Sequence, residues 1–177
     1  SFYGLADGIF ASGTNVDVGN SGSIVAENVY GGWAAGIEAQ GTDLTTVSND
    51  GSISAIASYG EAFGIYTTGD VIEVSNTGDI DAQGYVATGI EAQGGSSVTI
   101  TNDGDIVAGS ISTYYDPYTY NTYVYGSMLA TGINATANYE DGAITITNHG
   151  DVSAVGYSGG PGIAATATGP NGSARVT

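Results

Sequence analysis

The feature that most constrains this chain is an internal repeat. A Gly-Ile pair falls at Gly8, Gly36, Gly64, Gly89, Gly132 and Gly162, at intervals of 28, 28, 25, 43 and 30 residues. An Asn-x-Gly triplet falls at Asn20, Asn49, Asn76, Asn102 and Asn148, at intervals of 29, 27, 26 and 46. Both ladders carry one long interval at the same place. A single unit therefore holds an insertion, and the others share a period in the range of solenoid repeats. The clearest copy is ATGIEAQGGSSVTITNDGDIVA, residues 87–108.

Aligned under one another, the copies form columns. A first segment stacks Ile9, Ile37, Ile65, Ile90, Ile133 and Ile163, with Ala11, Ala39, Thr67, Ala92, Ala135 and Ala165 two places on. A second stacks Val16, Thr45, Ile72, Val98 and Ile144, then Val18, Val47, Val74, Ile100 and Ile146. A third stacks Ile24, Ile53, Ile80, Ile106 and Val152, then Ala26, Ala55, Ala82, Ala108 and Ala154. The residues between are mostly polar or small, the period-2 signature of strands with one buried face. One unit alone would bury about four large aliphatics, worth roughly 1.5–3 kcal/mol each, against a conformational cost several times larger. Stability must come from stacking the units at a spacing of about 4.8 Å, which gives a rod about 29 Å long. The expected fold is all-β: a parallel β-helix, or solenoid, of about six coils with three short strands each. Residues 1–177 form one repeat domain, and its ragged ends suggest a segment of a longer array.

The Asn-x-Gly triplets mark one corner of each coil. Asn tolerates a left-handed backbone better than other residues with a full side chain, so that conformation is expected at the corner. Asn20, Asn49, Asn76, Asn102 and Asn148 are then in register to form a hydrogen-bonded Asn ladder.

The recurring [VI]-x-[VI]-[ST]-N-x-G-[DS]-[IV]-x-A, followed by A-x-G-I-x-A, resembles the repeats of autotransporter passenger domains and haemagglutinin-like surface adhesins of Gram-negative bacteria. The resemblance spans essentially the whole chain apart from the insertion. It implies that the β-helix is right-handed and displayed outside the cell as a stalk or adhesive rod.

Composition narrows the function. One Lys+Arg stands against 18 Asp+Glu, a net charge of -17, which opposes binding to nucleic acid or anionic lipid. No apolar run is long enough to span a membrane as a helix, and direct membrane insertion is not expected. Cysteine is absent, so thiol chemistry and disulfides are excluded. Lyase chemistry needs cationic groups, and only Arg175 and His149 could supply them; His149 reads as the filler of its Asn148-His149-Gly150 corner. Asp79, Asp105 and Asp151 form an acidic stripe. Two carboxylates suffice for a glycosidase, but these occupy a repeated framework position and read as solvated or cation-screened. No cofactor is expected; the alternative is calcium along this stripe. Outward hydroxyls at Thr99, Thr101, Thr145 and Thr147 have the spacing of ice-binding solenoids, but Asp17 and Glu73 interrupt the array.

The aromatics concentrate in the turn from the third strand to the next first strand: Tyr30, Trp33, Tyr59, Phe63, Tyr85 and Tyr157, with Phe2 and Tyr3 in the corresponding stretch at the start. The insertion, a Tyr-rich loop over 110–129, lies in that same turn and adds Tyr114, Tyr115, Tyr118, Tyr120, Tyr123 and Tyr125. Tyrosine pairs a flat apolar face with a hydroxyl, so this edge is the candidate binding site. The expected function is an extracellular, non-catalytic structural or adhesive rod: a surface adhesin segment, or a filament or coat subunit. Its partners would be another copy, head-to-tail or side by side, a surface glycan or a host protein. The alternative is a carbohydrate-binding or carbohydrate-cleaving β-helix of tailspike type.

Overall fold

The computed structural model describes residues 4–29 and 32–177, except for the side chains of 112–115 and 123–124. The strands are β1 (Gly4–Gly13), β2 (Val16–Asn20), β3 (Ile24–Asn28), β4 (Gly32–Gly41), β5 (Leu44–Asn49), β6 (Ile53–Asn76), β7 (Ile80–Asn102), β8 (Ile106–Ala108), β9 (Ile111–Asp116), β10 (Asn121–Gly126), β11 (Leu129–Ala137), β12 (Ala143–Asn148), β13 (Val152–Ala154), β14 (Ile163–Ala167) and β15 (Ser173–Val176). All but β9 and β10 belong to one parallel system. Its first face stacks β1, β4, β6, β7, β11 and β14, one member per coil. β6 and β7 run through two corners each and contribute to all three faces.

The register matches the sequence columns residue for residue. Ile9, Ile37, Ile65, Ile90, Ile133 and Ile163 are successive partners on the first face. Val18, Val47, Val74, Ile100 and Ile146 are partners on the second, and Ile24, Ile53, Ile80, Ile106 and Val152 on the third. The aliphatics of these columns form one continuous core. Thr45 and Thr67 also point inward and are fully buried. Thr45 Oγ1 donates to the Thr68 carbonyl at 2.7 Å, whereas Thr67 Oγ1 has no partner.

The Asn ladder is complete. Each Nδ2 donates to the Oδ1 of the next ladder member at 2.7 Å, from Asn20 through Asn49, Asn76 and Asn102 to Asn148. Each also donates to a carbonyl two residues ahead, at 2.7–3.0 Å. The expected reason for asparagine is corrected, however. Each ladder residue closes a strand, and the one described non-glycine residue with positive φ is Tyr120, at 57° in the hairpin turn. Asparagine is selected for its amide, which satisfies buried polar groups of two coils at once. The following glycine also serves space rather than conformation. A Cβ on Gly51, Gly78, Gly104 or Gly150 would lie 1.8–2.2 Å from the carbonyl oxygen of the glycine one coil earlier.

The Tyr-rich insertion, read from sequence as a loop, is an antiparallel β9–β10 hairpin with Tyr123 opposite Tyr114. It ends before Leu129, which belongs to β11 and pairs with Val86.

Candidate functional site

The hairpin base is fixed by backbone chemistry. Ser127 N donates to the Ser110 carbonyl at 2.9 Å, and Ser110 N donates to the buried Ser127 Oγ at 3.3 Å. Gly126 has φ 135°, and a Cβ there would meet the Ser110 oxygen at 1.9 Å. Met128 N donates to the Tyr85 carbonyl and Tyr157 N to the Ser127 carbonyl, each at 2.8 Å or less. Tyr85 Oη also reaches Met128 Sδ. At the tip, Asp116 accepts from Tyr118 N at 2.9 Å and Thr119 Oγ1 at 2.7 Å. These bonds, the Thr119 hydroxyl foremost, hold its carboxyl below the usual range.

This anchoring brings sequence-distant tyrosines together. Tyr85, Tyr125 and Tyr157 line an apolar groove with Met128 and Ile111. Tyr59, Tyr85 and Tyr125 line an adjoining one. Tyr85 and Tyr125 are common to both, so Tyr59, Tyr85, Tyr125 and Tyr157 make one strip along the rod. Tyr59 and Tyr157 are 80% and 74% exposed, and among the described residues none of Tyr59, Tyr85 and Tyr157 enters a ring pair. Tyr118 and Tyr120 stand exposed at the hairpin tip. Tyr114, Tyr115 and Tyr123 lie on the hairpin strands, but their side chains fall outside the described residues, as does the whole of Tyr30.

Trp33 adjoins this edge at Tyr59, with which it lines a shallow groove. It is the second residue of β4 and lies on the outer side of the first face. Its ring stacks on Phe63 at 4.3 Å between centroids, and Tyr66 meets both edge-on at 4.9 and 5.4 Å. Around this cluster runs a groove of about 430 Å³, bounded by Glu61, Thr88, Glu91, Leu129, Thr131 and Asn134 among others. Glu38, Tyr66, Glu91 and Asn134 are successive partners on neighbouring coils.

Glu38 and Glu91 face away from the core yet are each only 8% exposed, covered by the side chains around them. Glu91 accepts from Gln93 Nε2 at 3.1 Å and from Asn134 Nδ2 at 3.0 and 3.1 Å. Glu38 accepts from Gln40 and adjoins Asp7. Burial raises the carboxyls of both Asp7 and Glu38, and the Asp7 charge raises Glu38 further. Among the described residues Asp7 Oδ1 is buried without a hydrogen-bond partner. The Tyr66 hydroxyl is pushed up by burial, then by the charges of Glu91, Glu38 and Glu61; it stays a hydrogen-bond donor.

Sequence reading did not assemble this groove. Its one signal is the repeated Ile-Glu-Ala-Gln-Gly of 37–41 and 90–94, in which the outward Glu is followed by an amide two places on.

The acidic stripe is stitched into the scaffold. Asp105 N donates to Asp79 Oδ1 at 3.4 Å and Asp151 N to Asp105 Oδ1 at 3.0 Å. Among the described residues no group of three or more His, Cys, Asp or Glu is arranged to hold a metal ion. His149 Nδ1 contacts Asp103 Oδ1 at 2.6 Å on the exposed corner. The outward second-face column runs Asp17, Thr46, Glu73, Thr99, Thr145, Arg175, a mixed row instead of a uniform hydroxyl array. No helix among the described residues is long and apolar enough to cross a membrane.

No protein-family profile matches the chain, and comparison with curated proteins and with solved structures gives no match either. What the structure shows is a parallel β-solenoid, and none of these comparisons ties it to surface-adhesin repeats.

Proposed function

We propose that this chain is a non-catalytic adhesive rod working outside the cell, with the tyrosine strip as its contact edge. The observation that carries this reading is the alignment of Tyr59, Tyr85, Tyr125 and Tyr157 beside two adjoining grooves at the base of the hairpin. Tyrosine offers rigid amphipathic contact area at low entropic cost, and a stiff solenoid holds that area in a line. Acidic polymers are disfavoured as partners by the charge of -17. Neutral surface glycans, host proteins and further copies of the rod are the partners it suits.

The test is deletion of residues 112–125, bridged by a short Gly-Ser turn. Labelled wild-type rod should bind a panel of immobilised glycans and cell surfaces, and the deletion should weaken that binding at least tenfold while leaving the fold intact. Unchanged binding would show that the tyrosines only cover the turn beneath them. The second reading, a carbohydrate-binding or carbohydrate-cleaving β-helix, draws support from the aromatic groove on the first face. Release of reducing ends from neutral or acidic polysaccharides would favour cleavage over adhesion.

A further inference from the structure

We infer that the groove on the outer first face, which meets the tyrosine strip where Trp33 adjoins Tyr59, is a second binding site, and that its ligand is a neutral glycan chain lying along the rod axis. This extends the carbohydrate-binding side of the reading above but does not depend on the strip.

Three features of the groove point to that ligand. The first is an aromatic and aliphatic floor: Trp33, half-buried, stacks on Phe63, and Val86 and Leu129 continue the surface onto the next two coils. Pyranose rings present apolar C–H faces to such surfaces. Among the described residues Trp33 Nε1 has no acceptor, so packing places its ring. The second is a set of polar groups held in fixed orientation beside that floor. The Glu91 carboxylate is gripped by Gln93 and Asn134, and Thr88 and Thr131 add hydroxyls on the same wall. Planar acceptors and amides of this kind suit a ligand rich in hydroxyls. The third is length: the lining residues come from the coils of Trp33, Phe63, Glu91 and Asn134 in turn, and reach Gly160 and Pro161. Coils repeat at about 4.8 Å, close to the length of one sugar unit in an extended chain, so successive units can meet equivalent positions.

Charge selects within the sugars. Glu61 and Glu91 line the groove, Glu38 and Glu91 flank Tyr66 on the neighbouring coils, and the groove lining contains no Lys, Arg or His. Uronic, sialic and sulfated chains are repelled, whereas neutral chains are not.

The chain has a single tryptophan, so Trp33 fluorescence reads the groove directly. Wild-type protein is titrated with neutral β-1,4- and α-1,4-linked glucose hexamers, an N-acetylglucosamine hexamer, a glucosamine hexamer and a hyaluronan hexamer. The expected result is a saturable change in Trp33 emission with at least one neutral hexamer, none with hyaluronan, and affinity constant within about twofold from 0.05 to 0.5 M salt, because a neutral ligand is not screened. Asn134→Ala and Glu61→Gln should each weaken that binding at least fivefold with unchanged circular dichroism. Deletion of residues 112–125 should leave it intact, which separates this site from the hairpin. No response to any neutral hexamer would overturn the inference. So would a response to the glucosamine hexamer alone, lost in high salt, since that is recognition of charge and not of hydroxyls.

Discussion

Asn102 accepts from Asn76, donates to Asn148 and donates to the Gly104 carbonyl, and it is fully buried. Replacing it by alanine leaves the Asn76 amide without its acceptor and two oxygens without their donor. A loss of about 1–3 kcal/mol is expected from such unpaired buried groups, measurable by denaturant unfolding; an unchanged midpoint would make the ladder decorative. Thr67 is the opposite case, a buried hydroxyl with no partner in a column of alanines. Thr67→Val keeps the shape and removes the hydroxyl, so it should stabilise by about 1 kcal/mol. Thr45→Val, which breaks the bond to the Thr68 carbonyl, should destabilise. The Asp7–Glu38 pair has a pH signature. Both carboxyls are raised in the folded state, by burial first, so between their unfolded and folded values the native chain binds more protons than the unfolded chain. Stability contributed by this pair therefore rises as pH falls from neutral through the raised values, and levels off below the ordinary carboxylate range. Glu38→Gln should raise the thermal midpoint at pH 7 and reduce its gain on acidification; a curve parallel to that of the wild type would disprove the raised carboxyls.

At the scale of the coil, the corner glycines set how closely turns approach. Gly78→Ala places a methyl 2.0 Å from the Gly51 carbonyl oxygen, and forcing the coils apart should cost about 2–3 kcal/mol. Gly19→Ala meets nothing within 4 Å and should change stability by no more than about 0.5 kcal/mol. The hairpin is a detachable element, because β9 and β10 pair only with each other. Its deletion should leave the cooperative unfolding transition in place, and collapse of the fold would make it part of the core. Element positions were legible in the sequence because every inward column repeats with period 2 inside a period of 25–30 residues. The backbone at Asn was not legible, since a side chain suited to a left-handed turn is equally suited to bridging coils. The site was legible in part. Tyrosines spaced along one turn predicted a shared edge, but the sequence did not show that Trp33, which adjoins that edge at Tyr59, also stacks on Phe63 in a second groove on the outer first face. Burial of Glu38 and Glu91 was hidden because it arises from neighbours on other coils, and no local pattern encodes it.

Across the whole molecule, 18 acidic groups face almost no positive charge. Self-repulsion of that size should make the thermal midpoint climb with sodium chloride between about 0.01 and 0.15 M as the screening length shortens. Calcium at matched ionic strength discriminates the role of the Asp79, Asp105 and Asp151 stripe: a saturable additional rise would indicate a bound ion, whereas an identical curve indicates counter-ion screening. Since Asp105 and Asp151 each donate a backbone N–H to the carboxylate one coil earlier, the identical curve is the expected outcome.

The ladder amides all donate in one sense along the rod, from the coil of Asn20 toward that of Asn148. Their dipoles add, so the stack is a vector with unlike ends. A coil joined before Asn20 must present a donor, and one joined after Asn148 must present an acceptor. Lengthening such a rod, whether by gene duplication or by docking of another copy, is thus a one-way grammar in which a reversed unit is unreadable.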